Sequence, residues 1–146
     1  MNNFRYSRAS EVADAIRLLG AEPDAKLIAG GTNLIDLMKE NVERPSRLID
    51  ISRLPLRDVE ETPDGGLRIG ALVPNSDLAY HPLIEQRYPL LASAILAGAS
   101  AQLRNMASTG GNLIEGPGKT SVRATATLWV GAGPGAASAL AGSQPT

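Results

Sequence analysis

The sequence predicts a fold mixing strands and helices: a small β-α-β-α-β unit over residues 4–53, then a hairpin and a run of short helices. Three observations predict it. In the first part, apolar runs of strand length alternate with segments of helical spacing. An Asp-Gly pair, Asp64-Gly65, stands between two strand-like runs at 58–62 and 67–72. Two Gly-Gly breaks, Gly30-Gly31 and Gly110-Gly111, interrupt apolar segments. The 146 residues suffice for one ordinary domain or two small subdomains.

The elements follow in order. Phe4-Arg5-Tyr6 reads as a short edge strand. Ser7 or Ser10 can cap the next helix, because a serine hydroxyl accepts from the unpaired N–H groups of a first turn. Val12, Ile16 and Leu19 fall on one helical face, and Gly20 suits the left-handed position just past the helix end. Lys26-Leu27-Ile28-Ala29 reads as a short buried strand, broken by Gly30-Gly31-Thr32-Asn33. Leu34, Ile35 and Met38 can share the face of a helix over residues 34–39. Pro45 marks a turn, and Arg47-Leu48-Ile49-Asp50-Ile51 reads as another strand. Beyond the hairpin, Asn75-Ser76 can cap a short helix, and Pro89 suits the first turn of a helix running through Leu90, Leu91, Ala94 and Ile95. A further helical turn includes Leu103, and the second break, Ser108-Thr109-Gly110-Gly111-Asn112, follows.

This divides the chain at 1–53, 54–114 and 115–146. The last zone holds no acidic residue after Glu115, keeps only Lys119 and Arg123 as basic residues, and is mostly Gly, Ala, Ser, Thr and Pro. Such a composition buries too little to offset its ordering entropy, so much of it is expected to be disordered.

Composition excludes several function classes. A net charge of −1 leaves no electrostatic footprint for nucleic acid or an anionic membrane, and one Phe and one Trp leave few stacking platforms. With no cysteine the chain holds no disulfide, thiolate metal site or iron–sulfur cluster. His81, the single histidine, has no partner for a metal site or a catalytic triad and reads as a surface or helix-end residue. The start carries no secretory signal and no stretch is apolar enough for a membrane span, so the expected compartment is the cytoplasm.

The first glycine break is the most informative feature. A strand, Gly-Gly-Thr-Asn and a helix can hold an anion: glycine lets N–H groups face inward with no Cβ in the way, and the helix start adds unpaired donors. Thr32 and Asn33 add side-chain donors, and the absence of lysine suits a diester such as a pyrophosphate held by neutral groups. A plain strand-to-helix turn has the same signature. Residues 108–112 supply a comparable donor set, although Ser, Thr and Gly also make ordinary turns. Two further matches carry less. Asp50 lies where a dinucleotide-binding carboxylate would follow Gly30, but Gly-x-Gly-x-x-Gly is absent there, so it reads as a solvated strand-end residue. Gly131-Ala132-Gly133-Pro134-Gly135-Ala136 fits that pattern after the strand-like Thr127-Leu128-Trp129-Val130, but without room for the helix and strand that must follow. Arg104-Asn105 reads as an exposed, solvated pair or as a brace for the second loop.

Leu27-Ile28-Ala29-Gly30-Gly31-Thr32-Asn33-Leu34 resembles the first FAD loop of the FAD-binding middle subunits of the xanthine dehydrogenase/aldehyde oxidase (molybdenum hydroxylase) family. Gln102-Leu103-Arg104-Asn105-Met106-Ala107-Ser108-Thr109-Gly110-Gly111-Asn112-Leu113 resembles their second. Residues 47–51 and 67–73 are similar to what lies between, in the same order and separation, so the resemblance covers about residues 3–114. It implies a two-subdomain α+β fold of the vanillyl-alcohol-oxidase-like type, here truncated, with FAD as cofactor. By the same likeness Ile28, Ala29, Gly30, Gly31, Thr32, Asn33 and Leu34, with Ser108, Thr109, Gly110, Gly111 and Asn112, contact its pyrophosphate and ribityl part. The implied partners are a large subunit with the molybdenum cofactor, where substrate is hydroxylated, and a small subunit with 2Fe–2S clusters that feeds electrons to FAD; no catalytic acid or base is implied here. The alternatives are a non-enzymatic remnant and a small Rossmann-like nucleotide binder using Gly30 and Asp50.

The sequence departs from the family near Glu115, where the likeness stops, the composition changes, and the cysteine cluster some relatives carry for a 4Fe–4S centre is absent. A truncated or frameshifted gene product with an out-of-frame tail, impaired in function, is the expectation. Reading the coding DNA in its other two frames checks this: one frame should resume family-like sequence beyond Glu115, and family-like sequence in neither refutes the frameshift.

Overall fold

The computed structural model describes residues 2–114 and 127–130. The first unit comprises β1 (Arg5–Arg8), α1 (Val12–Ala21), β2 (Ala25–Ile28), α2 (Leu34–Lys39) and β3 (Arg47–Asp50), the β-α-β-α-β order expected. Its three strands run parallel in the order β1-β3-β2, so β3 is central and β1 is an edge, as Phe4-Arg5-Tyr6 suggested. In register, Arg8 and Ile28 flank Asp50.

The second unit starts with an antiparallel hairpin of β4 (Val59–Glu61) and β5 (Leu67–Gly70). Its turn closes with Thr62 N–H donating to Gly66 O at 2.9 Å and Gly65 N–H to Thr62 O at 2.9 Å, and Gly65 takes φ +82°, the left-handed region that glycine enters freely. Short helices follow: α3 (Asn75–Ala79), α4 (Pro82–Arg87), α5 (Pro89–Ala97), α6 (Ala101–Met106) and α7 (Thr109–Ile114). β6 (Thr127–Val130) lies antiparallel on the other side of β5, giving the order β4-β5-β6. The strand-like reading of 127–130 is therefore found as a strand, whereas the disorder expected elsewhere in the tail and the glycine pattern at 131–136 lie outside the described residues. No helix among the described residues is long and apolar enough to cross a membrane.

Two apolar cores hold these units. Ala9, Ala15, Ala25 and Ile49 form the first, and Leu54 and Leu72 join it from beyond the parallel sheet. The second gathers Leu67, Ile69, Val73, Leu78, Ile84 and Ala92. Burying each such Leu or Ile fully stabilises by about 1.5–3 kcal/mol. In α2, Met38 is buried while Leu34 and Ile35 are partly so, as the shared face predicted.

Helix α1 departs from expectation in three ways. Its buried side carries Ala15, with Leu18 packed against the same core, while Val12, Ile16 and Leu19 remain 36%, 66% and 36% exposed. A helix lying close over a sheet needs a small residue at the contact, and Ala15 meets that need where Ile16 would not. Neither Ser7 nor Ser10 caps the helix; the N-cap is Glu11 without a side-chain bond, and the Asp14 carboxylate accepts instead from Ser10 N–H at 3.2 Å. Gly20 lies inside the helix, which ends at Ala21 without a left-handed residue. Likewise Pro74, not Asn75, is the N-cap of α3, and Asn75 is buried inside it. The exposures predict that Ala15→Leu destabilises by about 1–3 kcal/mol through overpacking. Ile16→Glu should stay within about 0.5 kcal/mol. Urea unfolding of both variants checks the order, and a larger loss for Ile16→Glu contradicts it.

Candidate functional site

β2 delivers the chain to the first glycine loop. Its last carbonyl, Ile28 O, accepts from Ile51 N–H at 3.0 Å. Ala29, Gly30, Gly31, Thr32 and Asn33 then lead into α2 at Leu34, and all are half-buried. Gly31 takes φ +72°, and a Cβ there would approach Ile35 Cγ1 to 3.0 Å, so the position favours glycine on both counts. Ile35 and Leu37 donate back to Gly31 O and Asn33 O at 3.1 and 3.0 Å. By contrast, no main-chain carbonyl among the described residues accepts from Gly30, Gly31, Thr32, Asn33 or Leu34 N–H. Asn33 makes no side-chain cap bond either. The loop thus presents a run of unspent neutral donors, the group type that holds a phosphate diester.

The second segment is built differently from the open break expected. Residues 109–114 form α7, despite two glycines that disfavour helix. Tertiary bonds hold its start. Thr109 is buried, and its N–H and hydroxyl both donate to Val73 O, at 3.0 and 2.9 Å. Gly110 N–H donates to Ala71 O at 2.8 Å, and a Cβ on Gly110 would come within 3.0 Å of Ala71. Ser108 bridges Pro74, and Gly111 lies beside the Ser108 hydroxyl. Thr109 and Gly110 therefore spend these donors on the exit of the hairpin and seat the segment. No signal in the sequence pointed to Ala71 and Val73 as its anchor.

Gly30 brings the two segments together. A Cβ on it would overlap the Met106 carbonyl oxygen and lie 2.7 Å from its carbon and 3.4 Å from Ala107 N. Main chain meets main chain there, two residues before Ser108. Ala107 O in turn accepts from Asn75 N–H at 3.0 Å. At this seam the first loop thus lies against residues 106–107, the stretch that leads into Ser108.

The remaining candidates are placed elsewhere or otherwise engaged. Asp50 stands at a strand end but is buried, not solvated: Oδ2 accepts from the Tyr6 hydroxyl and from Arg8 Nε (2.9 Å), and Oδ1 from Ser52 N–H (2.8 Å). Burial alone would raise its pKa, but the bonds from Tyr6, Ser52 and Arg8 outweigh it and hold the carboxyl well below its ordinary range. Buried and committed to these three donors, it does not present the open carboxylate a ribose contact needs. Asn105 is exposed as read, while Arg104 is half-buried and not bonded to the second loop; it donates to Leu96, Gly98 and Ala99 carbonyls at 3.2, 2.9 and 2.8 Å, bracing the α5–α6 turn. His81 is a helix-end residue whose Nδ1 accepts from Leu83 N–H at 3.3 Å. A surface depression near it is lined by Arg57, Asp58, Glu60 and Asp77, a charge balance that repels a diphosphate.

The family profile described as "FAD binding domain in molybdopterin dehydrogenase" matches residues 2–137. The chain belongs to that family. The match extends past Glu115, where the likeness read from motifs ended, and takes in β6. The chain is 52% identical over 115 residues to the aldehyde oxidoreductase FAD-binding subunit PaoB of Escherichia coli (strain K12), covering 79% of this chain and 36% of that subunit. It is 41% identical over 115 residues to the carbon monoxide dehydrogenase medium chain of Hydrogenophaga pseudoflava, covering 77% of this chain and 40% of the other. Against the solved carbon monoxide dehydrogenase from Hydrogenophaga pseudoflava lacking the Mo-pyranopterin moiety, it aligns with a TM-score of 0.75 at 39% identity, over 79% of this chain and 40% of that one. The chain thus spans 36% to 40% of the length of these relatives.

The seam makes a direct prediction for this FAD-binding-domain chain. Gly30→Ala must move the backbone of residues 106–107 and should destabilise by about 1–3 kcal/mol. Thermal unfolding beside Gly20→Ala, where nothing lies within 4 Å of the added Cβ, checks it; equal midpoints for the two variants contradict the contact.

Proposed function

We propose that residues 28–34 and 108–112 hold the diphosphate and ribityl part of FAD in a flavoprotein subunit of the molybdenum hydroxylase type. The observation that supports this reading is the Gly30–Met106 seam, which brings the first loop against residues 106–107, just ahead of the second segment. Gly30, Gly31, Thr32 and Asn33 donate to the phosphate oxygens through neutral N–H groups, and the Thr32 and Asn33 side chains add donors. Ser108 and Gly111 face from the other side, with Thr109 and Gly110 fixing their position through Val73 and Ala71. FAD supplies reversible electron uptake. The chain's part is to hold and orient it rather than to provide an acid or base.

In the complex so proposed, substrate is oxidised on a large subunit carrying the molybdenum cofactor, and a small subunit with 2Fe–2S clusters passes electrons to FAD and on to an acceptor. The two sheets support reading 1–53 and 54–114 as parts of two FAD-binding subdomains of the vanillyl-alcohol-oxidase-like α+β type, with β6 from the 115–146 zone paired onto the second sheet. The aligned part of the chain covers 36% to 40% of the relatives compared; by itself the chain is read as a weak FAD holder with little turnover of its own.

Absorption between the near-ultraviolet and blue, recorded on purified protein with and without added FAD, tests the reading. Flavin should associate on titration and wash out readily; no association at any concentration defeats the FAD assignment, and tight stoichiometric retention defeats the weak holding. Gly31→Asp and Gly31→Asn separate charge from strain, since Asn and Asp are similar in size and both tolerate positive φ. The carboxylate should weaken FAD binding by about tenfold more than the amide does, and equal loss removes the diphosphate from this loop.

A further inference from the structure

We propose that Asp50 is a positioning residue for the diphosphate loop, holding the root of residues 29–34 through the main chain of Ile51 and Ile28; this rests on the FAD reading above. Asp50 ends the central strand, with Arg8 on one side and Ile28 on the other in register. Its side-chain bonds go to β1 and to the strand exit: Tyr6 hydroxyl and Arg8 Nε on Oδ2, Ser52 N–H on Oδ1. Its own carbonyl accepts from Ala9 N–H at 3.0 Å. The next residue, Ile51, makes the last rung to β2 by donating to Ile28 O at 3.0 Å. Only Ala29 separates Ile28 from Gly30, whose lack of a Cβ seats the loop on Met106. The carboxylate is therefore a fixed point from which β1, the exit of β3 and the start of the glycine loop are all set.

Electrostatics makes the arrangement two-sided. A buried carboxylate near an anion site would oppose the ligand if left unpaired. Arg8 neutralises it from the outer edge strand, with 44% of its side chain exposed against 8% for Asp50. Loss of Arg8 should act on the loop without touching it.

The full chain tests this with three readouts: amide hydrogen exchange without ligand, FAD affinity by flavin fluorescence, and thermal unfolding. Asp50→Asn keeps the size and an acceptor for Ser52 N–H but loses the charge paired with Arg8. It should speed exchange at Ile51 by about tenfold, leave Thr62 and Gly65 in the distant hairpin turn as in the parent chain, and weaken FAD by about tenfold. Arg8→Gln should act in the same direction and carries the test if Asp50→Asn does not fold, while Arg8→Lys should recover most of the Arg8→Gln deficit. Unchanged Ile51 exchange overturns the proposal, as does acceleration spread evenly over the hairpin turn, which marks general destabilisation. Unchanged FAD affinity beside accelerated Ile51 exchange overturns it too. If the parent chain takes up no FAD, the FAD reading fails with it, whereas failure of the positioning role alone leaves FAD binding by the parent intact.

Discussion

The contact between Gly30 and the Met106 carbonyl is the constraint on which the rest of the structure depends. The parallel sheet carries the first loop, and the hairpin and helices carry the second segment. Where backbone lies against backbone, the first loop meets the residues that lead into the second segment. A side chain at residue 30 would hold them apart, so glycine is required there by a neighbour far away in sequence, and at Gly31 by its own φ of +72°. The two glycines of one motif thus answer different demands, one of packing and one of backbone conformation.

Around that seam several polar groups are committed to the fold itself. Thr109 and Gly110 are committed to Val73 and Ala71, and Asp50 to Tyr6, Arg8 and Ser52. The opposite end of the parallel sheet has a counterpart, where Glu22 accepts from Arg5 and Arg47 at 2.6 and 3.1 Å. Carboxylates therefore tie both ends of the sheet. The amides of residues 30–34, which follow β2 beyond the Asp50 end of the sheet, donate to no main-chain carbonyl among the described residues.

Much of the fold was legible because its signals are local. The order β-α-β-α-β followed from alternating apolar runs and periodic segments, and the hairpin from Asp64-Gly65, whose positive φ is a property of the turn itself. Both glycine segments stood out by composition. The buried side of α1 was misread, since Val12, Ile16 and Leu19 have the stronger periodicity whereas the sheet accepts the smaller Ala15. Helix α7 was hidden for a related reason: Thr-Gly-Gly has poor helix propensity, and the bonds that hold it come from Val73 and Ala71.

The sequence by itself determined the order of the elements, the two glycine motifs and the family they resemble, because turns, periodicity and motifs are written in neighbouring residues. Tertiary structure alone decided that Gly30 meets Met106, that Asp50 is a buried latch rather than a solvated strand end, and that Arg104 braces a helix turn. Each of those depends on which atoms arrive from distant parts of the chain, and burial and hydrogen-bond partners are properties of that arrival, not of the residue that receives it.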